Sequence, residues 1–167
     1  MIAKNITELI GNTPMIELKM KNNDWKVYLK LEKFNPGGSM KDRMALNMIN
    51  QAEKDGKLKP GGTIIESSSG NTAIGLAIAS AIKGYKFIAV VDHHASKEKI
   101  DMIKAYGGNI VVVGDGYKDN EVAVIEREKT AKRMADGMEN AFFPNQADNF
   151  NNRSAYIDTL ALSLIHI

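Results

Sequence analysis

The sequence predicts an α/β fold in which a parallel, twisted sheet carries helices on both faces. Short β-branched segments alternate with helical patterns between residues 27 and 143, and this alternation is typical of a parallel sheet. The strand segments are almost wholly apolar, which indicates strands that are buried on both faces. No internal repeat or low-complexity linker interrupts residues 35–145, so we expect this part to form one unit.

Turn signals set the bounds of the predicted elements. Strands are predicted over residues 15–18, 27–31, 63–66, 86–91, 110–113 and 141–143. Helices are predicted over residues 40–55, 72–82, 96–106 and 119–136. A Pro-Gly-Gly turn precedes both the first helix and the third strand, and glycines at 84 and 107–108 end the next two helices. Helix 72–82 consists mainly of small and apolar residues, so we expect it to be deeply buried.

The composition excludes several classes of function. Hydrophobic residues make up 44% and charged residues 25% of the chain, and the formal charge is +2, so nothing indicates a nucleic-acid partner. The chain has no cysteine, which excludes disulfides, thiolate chemistry and cysteine-ligated metals. Residues 1–10 have no apolar leader, and no apolar run is long enough to span a membrane. We therefore expect a cytoplasmic protein that binds a small molecule.

The first helix follows the turn Pro36-Gly37-Gly38. Ser39 has the side chain of a good N-cap, and Asp42 stands three positions later, which is the spacing of a weak capping box. The sequence therefore predicts that the helix begins at Met40, with Ser39 as its N-cap.

Lys41 lies at the start of this helix and is the leading candidate for catalysis. It shares a helix face with Ala45, Met48 and Ala52, which directs its side chain toward the apolar stripe. Partial burial and the positive end of the helix dipole both disfavour an ammonium group, and such lysines can form Schiff bases. The alternative is a lysine whose alkyl stem follows the apolar stripe and whose amine reaches water.

Residues 66–72 (ESSSGNT) form a second candidate site. They join a predicted strand to a helix N-terminus through three hydroxyl groups, a glycine and an amide, a donor set that suits a carboxylate or a phosphate. The alternative is a tight strand-to-helix loop that uses these residues only for capping. The segment matches neither the P-loop nor the dinucleotide-binding fingerprint.

Two other polar segments are less specific. Asp92-His93-His94 follows a strand, but spacing places no third ligand beside the adjacent histidines, so we predict no metal site. Asn145-Gln146 follows the last predicted strand. Because the carboxyl ends of parallel strands share one edge, Gln146 is expected near residues 67–72, which we call the serine loop.

Residues 35–43 (NPGGSMKDR) and 69–72 (SGNT) closely resemble motifs of the cysteine synthase and cystathionine beta-synthase family, whose members use pyridoxal 5'-phosphate. Further segments fall in the expected order, at residues 11–14 (GNTP), 56–61 (GKLKPG), 83–85 (KGY) and 145–146 (NQ). The resemblance implies the small N-terminal domain of the tryptophan-synthase-beta-like fold.

By this resemblance, Lys41 is the Schiff-base lysine and Asn71 hydrogen-bonds the ring hydroxyl of the cofactor. The resemblance also implies a set of residues that bind the α-carboxylate of an amino-acid substrate, namely Ser68, Ser69, Asn71, Thr72 and Gln146. The implied reaction is β-replacement on an activated serine, either O-acetylserine or O-phosphoserine, with sulfide or another nucleophile, in a family whose full-length members are homodimers. The alternatives are a serine or threonine dehydratase and a non-catalytic fragment that binds a small molecule.

Family members are longer than this chain, and their second half supplies the cup for the cofactor phosphate. We therefore expect residues 1–34 to be the first segment of an incomplete large domain, 35–145 to be the small cofactor and substrate domain, and 146–167 to begin the return to the large domain. The apolar residues 160–167 depart from the family pattern. We expect a truncated or misread end here, and an inactive chain by itself.

Overall fold

The computed structural model describes residues 2–21, 25–114 and 123–165. Two strands, β1 (Met15–Leu18) and β2 (Val27–Lys30), pair as an antiparallel hairpin. The other four form a parallel sheet in the order β5-β4-β3-β6, with β3 (Thr63–Ser67), β4 (Lys86–Val91), β5 (Asn109–Val112) and β6 (Ala141–Phe142). The predicted α/β class with a parallel sheet is confirmed.

The described helices are α1 (Lys41–Lys54), α2 (Asn71–Lys83), α3 (Lys97–Ala105), α4 (Val124–Asp136), α5 (Phe150–Ala155) and α6 (Leu162–Ile165). Short 3-10 turns lie at Ile6–Leu9 and Glu32–Phe34, and a π-helical segment, Tyr156–Ala161, joins α5 to α6. No helix in the described ranges is both long enough and apolar enough to cross a membrane.

Helices cover both faces of the parallel sheet, as predicted. On one face, α1, α2 and α3 pack against alternate side chains of the central strands, including Ile64, Phe87 and Ala89. On the other face, α4 packs against Ile65 and Val90. Successive residues of a strand point to opposite faces, so both faces need apolar residues, and this explains the nearly continuous apolar strands in the sequence.

The start of α1 differs from the prediction. Met40, not Ser39, precedes the helix, and it makes no side-chain cap hydrogen bond. Ser39 Oγ instead accepts a hydrogen bond from Lys41 N at 3.1 Å. The Asp42 carboxylate turns back to the N–H of Gly37 rather than to that of the N-cap residue. The predicted capping box is therefore wrong, because the Pro-Gly-Gly turn offers its own N–H group to Asp42.

The other predicted strands and helices agree with the structure within one residue at each end, except for α4, whereas α5 and α6 were not predicted. The described part of α4 begins at Val124, and the predicted segment 119–122 lies outside the described residues. The expectation that helix 72–82 is buried is confirmed for residues 72–80. Ala81 and Ile82 are exposed, so the burial stops before the last turn of α2.

Helices α1 and α2 cross at close range. A Cβ atom added at Gly75 of α2 would lie 3.1 Å from Ala45 Cβ and 3.2 Å from Asp42 Cα. Only a residue without a side chain allows the backbones to approach this far. The crossing therefore places the start of α1, and with it Lys41, against the first turns of α2.

Candidate active site

The turn before α1 determines where Lys41 lies. A Cβ atom at Gly37 would collide with Asp42 Oδ1, and Gly38 has a φ of +76°, so both positions favour glycine. The Gly37 N–H donates to the Asp42 carboxylate, which is 1% exposed. These contacts fix the polypeptide at the residue where α1 begins.

The Lys41 side chain is half-buried and lines a cleft of about 580 Å³. The opposite wall comes from the segment 147–156, which includes α5. Lys41 Nζ lies 5.9 Å from the centroid of the Tyr156 ring. The predicted stripe on α1 is confirmed, since Ala45, Met48 and Ala52 are all buried, and Lys41 lies at its cleft end.

A network of polar side chains braces this end of α1. Arg43 donates to both oxygens of Glu32, from Nε at 2.8 Å and from Nη2 at 2.9 Å. Thr13 Oγ1 and Asn35 Nδ2 donate to the same carboxylate, and Asn35 Oδ1 accepts from the N–H of Gly11 at 2.8 Å. The segment 11–14 is thereby attached to the turn that precedes Lys41.

The ionisation of Glu32 follows from this network. Burial raises the pKa of the Glu32 carboxyl, but the hydrogen bonds from Arg43, Thr13 and Asn35 and the positive charge of Arg43 outweigh burial and lower the pKa to about 2. Glu32 is therefore a carboxylate at neutral pH. Its negative charge balances Arg43, whose side chain is 4% exposed.

The serine loop joins β3 to α2, as predicted. Ser68 is buried, and its Oγ accepts from the N–H of Gly70 at 3.3 Å. Thr72 is also buried, and its Oγ1 donates to Gln146 Oε1 at 2.6 Å. Ser69 Oγ accepts from Arg127 Nη1 at 3.4 Å. The exposed Asn71 accepts from Lys99 Nζ at 2.6 Å through its Oδ1.

Gln146 lies beside the serine loop, although it is far away in the chain. Its Nε2 donates to the carbonyl of Ser67 at 3.3 Å, and its own carbonyl accepts from Asn152 Nδ2 at 2.7 Å. The predicted proximity of Gln146 and the serine loop is confirmed. The residues that follow Gln146 line the cleft of Lys41, so this segment connects the two candidate sites. The roles of these residues in binding remain predictions.

Glu66 is a buried carboxyl group that the sequence did not single out. It lies in β3 next to the serine loop and is 1% exposed. Burial raises the pKa of Glu66 to about 7, because the hydrogen bonds from Gln146 and Ser67 only partly offset the cost of removing the charge from water. The negative charge of Glu128 on α4 raises it further.

In the segment Asp92-His93-His94, Asp92 forms an ion pair with Arg127 of α4. Asp92 is 2% exposed, and its Oδ2 lies 3.4 Å from Arg127 Nη1, so a cation of α4 balances its charge. Asp92 Oδ1 accepts from His94 N at 3.1 Å. In the part of the chain that the structure describes, no three histidine or carboxylate side chains are placed to hold a metal ion.

This arrangement combines an amine that faces a cleft with a hydroxyl- and amide-rich loop at the N-terminus of a long helix. A primary amine can add to a carbonyl carbon. Backbone N–H groups and the helix dipole at an N-terminus favour an anion. The two features together suit a substrate or cofactor that has a carbonyl group and a negatively charged group.

A family model described as "Pyridoxal-phosphate dependent enzyme" matches residues 6–165. A relative from Sinorhizobium fredii, named as a cysteine synthase, is 47% identical over 167 residues, which cover 98% of this chain and 50% of the relative. The chain thus spans about half the length of the curated relatives it matches.

Two solved structures have the same fold. A hydrogen sulfide-producing enzyme from Fusobacterium nucleatum superposes with a TM-score of 0.88 at 37% identity, covering 99% of this chain and 53% of that one. An O-acetylserine dependent cystathionine beta-synthase from Helicobacter pylori gives a TM-score of 0.87 at 32% identity, covering 99% of this chain and 54% of that one.

Proposed function

The chain belongs to the pyridoxal-phosphate dependent enzyme family, and from this premise we propose that it carries the cofactor lysine and the substrate-carboxylate loop of a cysteine-synthase-like enzyme. The proposed reaction replaces the β-substituent of an activated serine. The proposal depends mainly on one observation. Gln146 contacts the serine loop, and the residues that follow it line the cleft of Lys41.

The residues around Lys41 fit the cofactor of this family. No carboxylate of the described residues forms an ion pair with Lys41, so its amine is available to an aldehyde carbon. The Tyr156 hydroxyl is buried without a hydrogen-bond partner in residues 2–21, 25–114 and 123–165, which leaves a polar group for a ligand. The cleft of about 580 Å³ is within the usual size range of small-molecule sites.

Pyridoxal phosphate, when bound, supplies an aldehyde and a ring that stabilises negative charge at the α-carbon of an amino acid. Lys41 would attach the cofactor through Nζ. Once this nitrogen is no longer attached to the cofactor, it would accept the α-proton of the substrate. The amide of Asn71 would donate from Nδ2 to the ring hydroxyl, since its Oδ1 already accepts from Lys99.

The serine loop would hold the substrate. Ser68, Ser69, Asn71 and Thr72 surround the N-terminus of α2, where an α-carboxylate gains from N–H groups and from the helix dipole. Gln146 adds a side-chain amide at the same place. A carboxylate held there restricts how the α-carbon meets Lys41 Nζ, and such positioning accelerates proton transfer.

The names of similar proteins support the choice of reaction. The Sinorhizobium fredii relative is named as a cysteine synthase, and the Helicobacter pylori enzyme is described as O-acetylserine dependent. We propose O-acetylserine or O-phosphoserine as the substrate class and sulfide as the nucleophile. A homodimer and a cytoplasmic location are parts of the proposal that rest on resemblance to the family.

The test is cysteine formation from either activated serine with sulfide and pyridoxal phosphate. It compares the 167-residue chain with a chimera in which the second half of the Sinorhizobium fredii relative follows residue 155. We expect the chimera to form cysteine only when the cofactor is present, and the Lys41→Ala chimera to form none. The matched control Lys33→Ala changes an exposed lysine and should keep full activity. A folded chimera without activity, or one that is active without Lys41, contradicts the proposal.

A further inference from the structure

One carboxyl group links the two loops of the candidate site. Glu66 Oε1 accepts a hydrogen bond from the N–H of Ser67 at 2.8 Å, and Glu66 Oε2 accepts one from the N–H of Gln146 at 3.1 Å. Ser67 begins the serine loop, whereas Gln146 is 80 residues from Glu66 in the chain. The two oxygens of one side chain are therefore shared between two segments that only the fold brings together.

Two direct hydrogen bonds join the same loops. Gln146 Nε2 donates to the Ser67 carbonyl, and Thr72 Oγ1 donates to Gln146 Oε1. Both use the side chain of Gln146, which can rotate unless its backbone is held. Glu66 supplies that restraint, because it bonds the backbone N–H of Gln146.

We propose that Glu66 is the positioning residue that holds the serine loop and Gln146 in one geometry, so that the affinity of the loop for a carboxylate depends on the ionised form of Glu66. The part of this inference that concerns substrate rests on the function proposed above. The link itself does not, because it involves only residues of this chain.

The charges around Glu66 make the link sensitive to pH. Glu128 of α4 is the charged group that acts on Glu66, and burial and Glu128 together place its pKa near 7. Arg127 of α4 lies next to Asp92 at the end of β4, so this cation is already shared with another carboxylate. A protonated carboxyl loses acceptor capacity at one oxygen, and one of the two links to the loops weakens as the pH falls below 7.

The first experiment tests the link without substrate. The chain is labelled with 15N at serine and glutamine, and the amide signals of Ser67 and Gln146 are followed by NMR between pH 5 and pH 9. We expect both signals to move with one shared midpoint near 7, and neither to titrate in Glu66→Gln. The matched control Glu53→Gln removes a carboxylate near the end of α1, which pairs with Lys83 of α2, and should leave both titrations unchanged.

Two outcomes would overturn the link: signals that have unrelated midpoints, or a titration that persists in Glu66→Gln. If Glu66→Gln does not fold, the shared midpoint in the parent chain still decides the question. Signals that do not move at all also contradict the proposal.

The second experiment tests the consequence for binding, in the chimera described above. A glutamine at 66 accepts from one N–H only and turns an NH₂ group toward the other. We expect KM for the amino-acid substrate to rise about tenfold, the loss expected for one hydrogen bond to a charged group, with a smaller change in kcat. Glu53→Gln should leave KM unchanged. A chimera that binds no amino acid refutes the proposed function alone, whereas an unchanged KM in Glu66→Gln refutes the positioning role.

Discussion

Arg43 and Glu32 form a bidentate ion pair next to the start of the helix that carries Lys41, with Arg43 Nε 2.8 Å from Glu32 Oε2. The pair is almost wholly removed from water, since the two side chains are 4% and 15% exposed. Glu32 lies in the turn before the Pro-Gly-Gly segment, whereas Arg43 lies in α1. The pair therefore fixes α1 relative to the residues that precede it.

Replacement of Arg43 by Met should destabilise the protein strongly, because Glu32 then keeps a buried charge without its cation. Removal of one partner of a buried pair costs about 3–5 kcal/mol. Urea unfolding of the parent and the variant measures this loss. The double variant Glu32→Gln with Arg43→Met is the control and should lose less than Arg43→Met alone. A single variant as stable as the parent would show that the pair does not hold α1.

The pair of Arg43 and Glu32 also predicts that the free energy of unfolding decreases at acid pH. The pKa of Glu32 is lowered to about 2 from its ordinary value of 4.5, so the folded state binds this proton less readily than the unfolded state does. The stabilisation is complete above pH 4.5 and is lost as the pH falls toward 2. Urea unfolding at several pH values should show a steeper acid loss in the parent than in Glu32→Gln. Parallel curves would contradict this assignment.

Lys41 should be the site at which pyridoxal phosphate becomes attached. Its amine faces the cleft and has no carboxylate partner among the described residues, whereas Lys97 and Lys132 form exposed ion pairs. Borohydride reduction after incubation with the cofactor, followed by peptide mapping, should find the label at Lys41. Label spread over exposed lysines, or retained in Lys41→Ala, would exclude this lysine.

Ser69→Ala and Asn71→Ala should weaken substrate binding in the active chimera while leaving stability nearly unchanged. Each loses one hydrogen bond to a carboxylate or ring oxygen, which costs about 1.5–3 kcal/mol, or about ten- to a hundredfold in affinity. Ser80→Ala is the matched control, because the Ser80 hydroxyl in α2 is buried without a partner in the described residues. Equal KM values in the two test variants and the control would place the carboxylate elsewhere.

Gly75→Ala should destabilise the protein even though alanine favours a helix. The new methyl group would lie 3.1 Å from Ala45 Cβ and 3.3 Å from Asp42 Oδ1, so α1 must move. Overpacking of this kind costs about 1–3 kcal/mol. Gly70→Ala is the control, because a Cβ atom there would meet nothing within 4 Å. Thermal unfolding compares the stabilities of the two variants. If Gly75→Ala is more stable than Gly70→Ala, helices α1 and α2 are not closely packed at this crossing.

The strands and helices between residues 15 and 142 could be predicted from the sequence because their signals are local. Nearly continuous apolar segments predict strands such as Lys86–Val91, and glycine and proline mark the ends of helices within a few residues. The motif around Lys41 and the serine loop are also continuous segments of the chain, so the sequence by itself is enough to recognise them. Even among these local features the predicted cap of α1 is wrong, since two nearby N–H groups compete for the Asp42 carboxylate.

The partners of the polar side chains were decided only by the tertiary structure. The fold brings together three such pairs: Glu32 with Arg43, Thr72 with Gln146, and Glu66 with Gln146. Glu66 and Thr72 are 80 and 74 residues from Gln146. Glu32 and Arg43 are only 11 residues apart, but they lie in two different elements, so no period of a single helix or strand relates them. A buried carboxylate must be satisfied by whichever donors the packing brings near it, and a sequence pattern that repeats every two or about 3.6 residues does not contain that information.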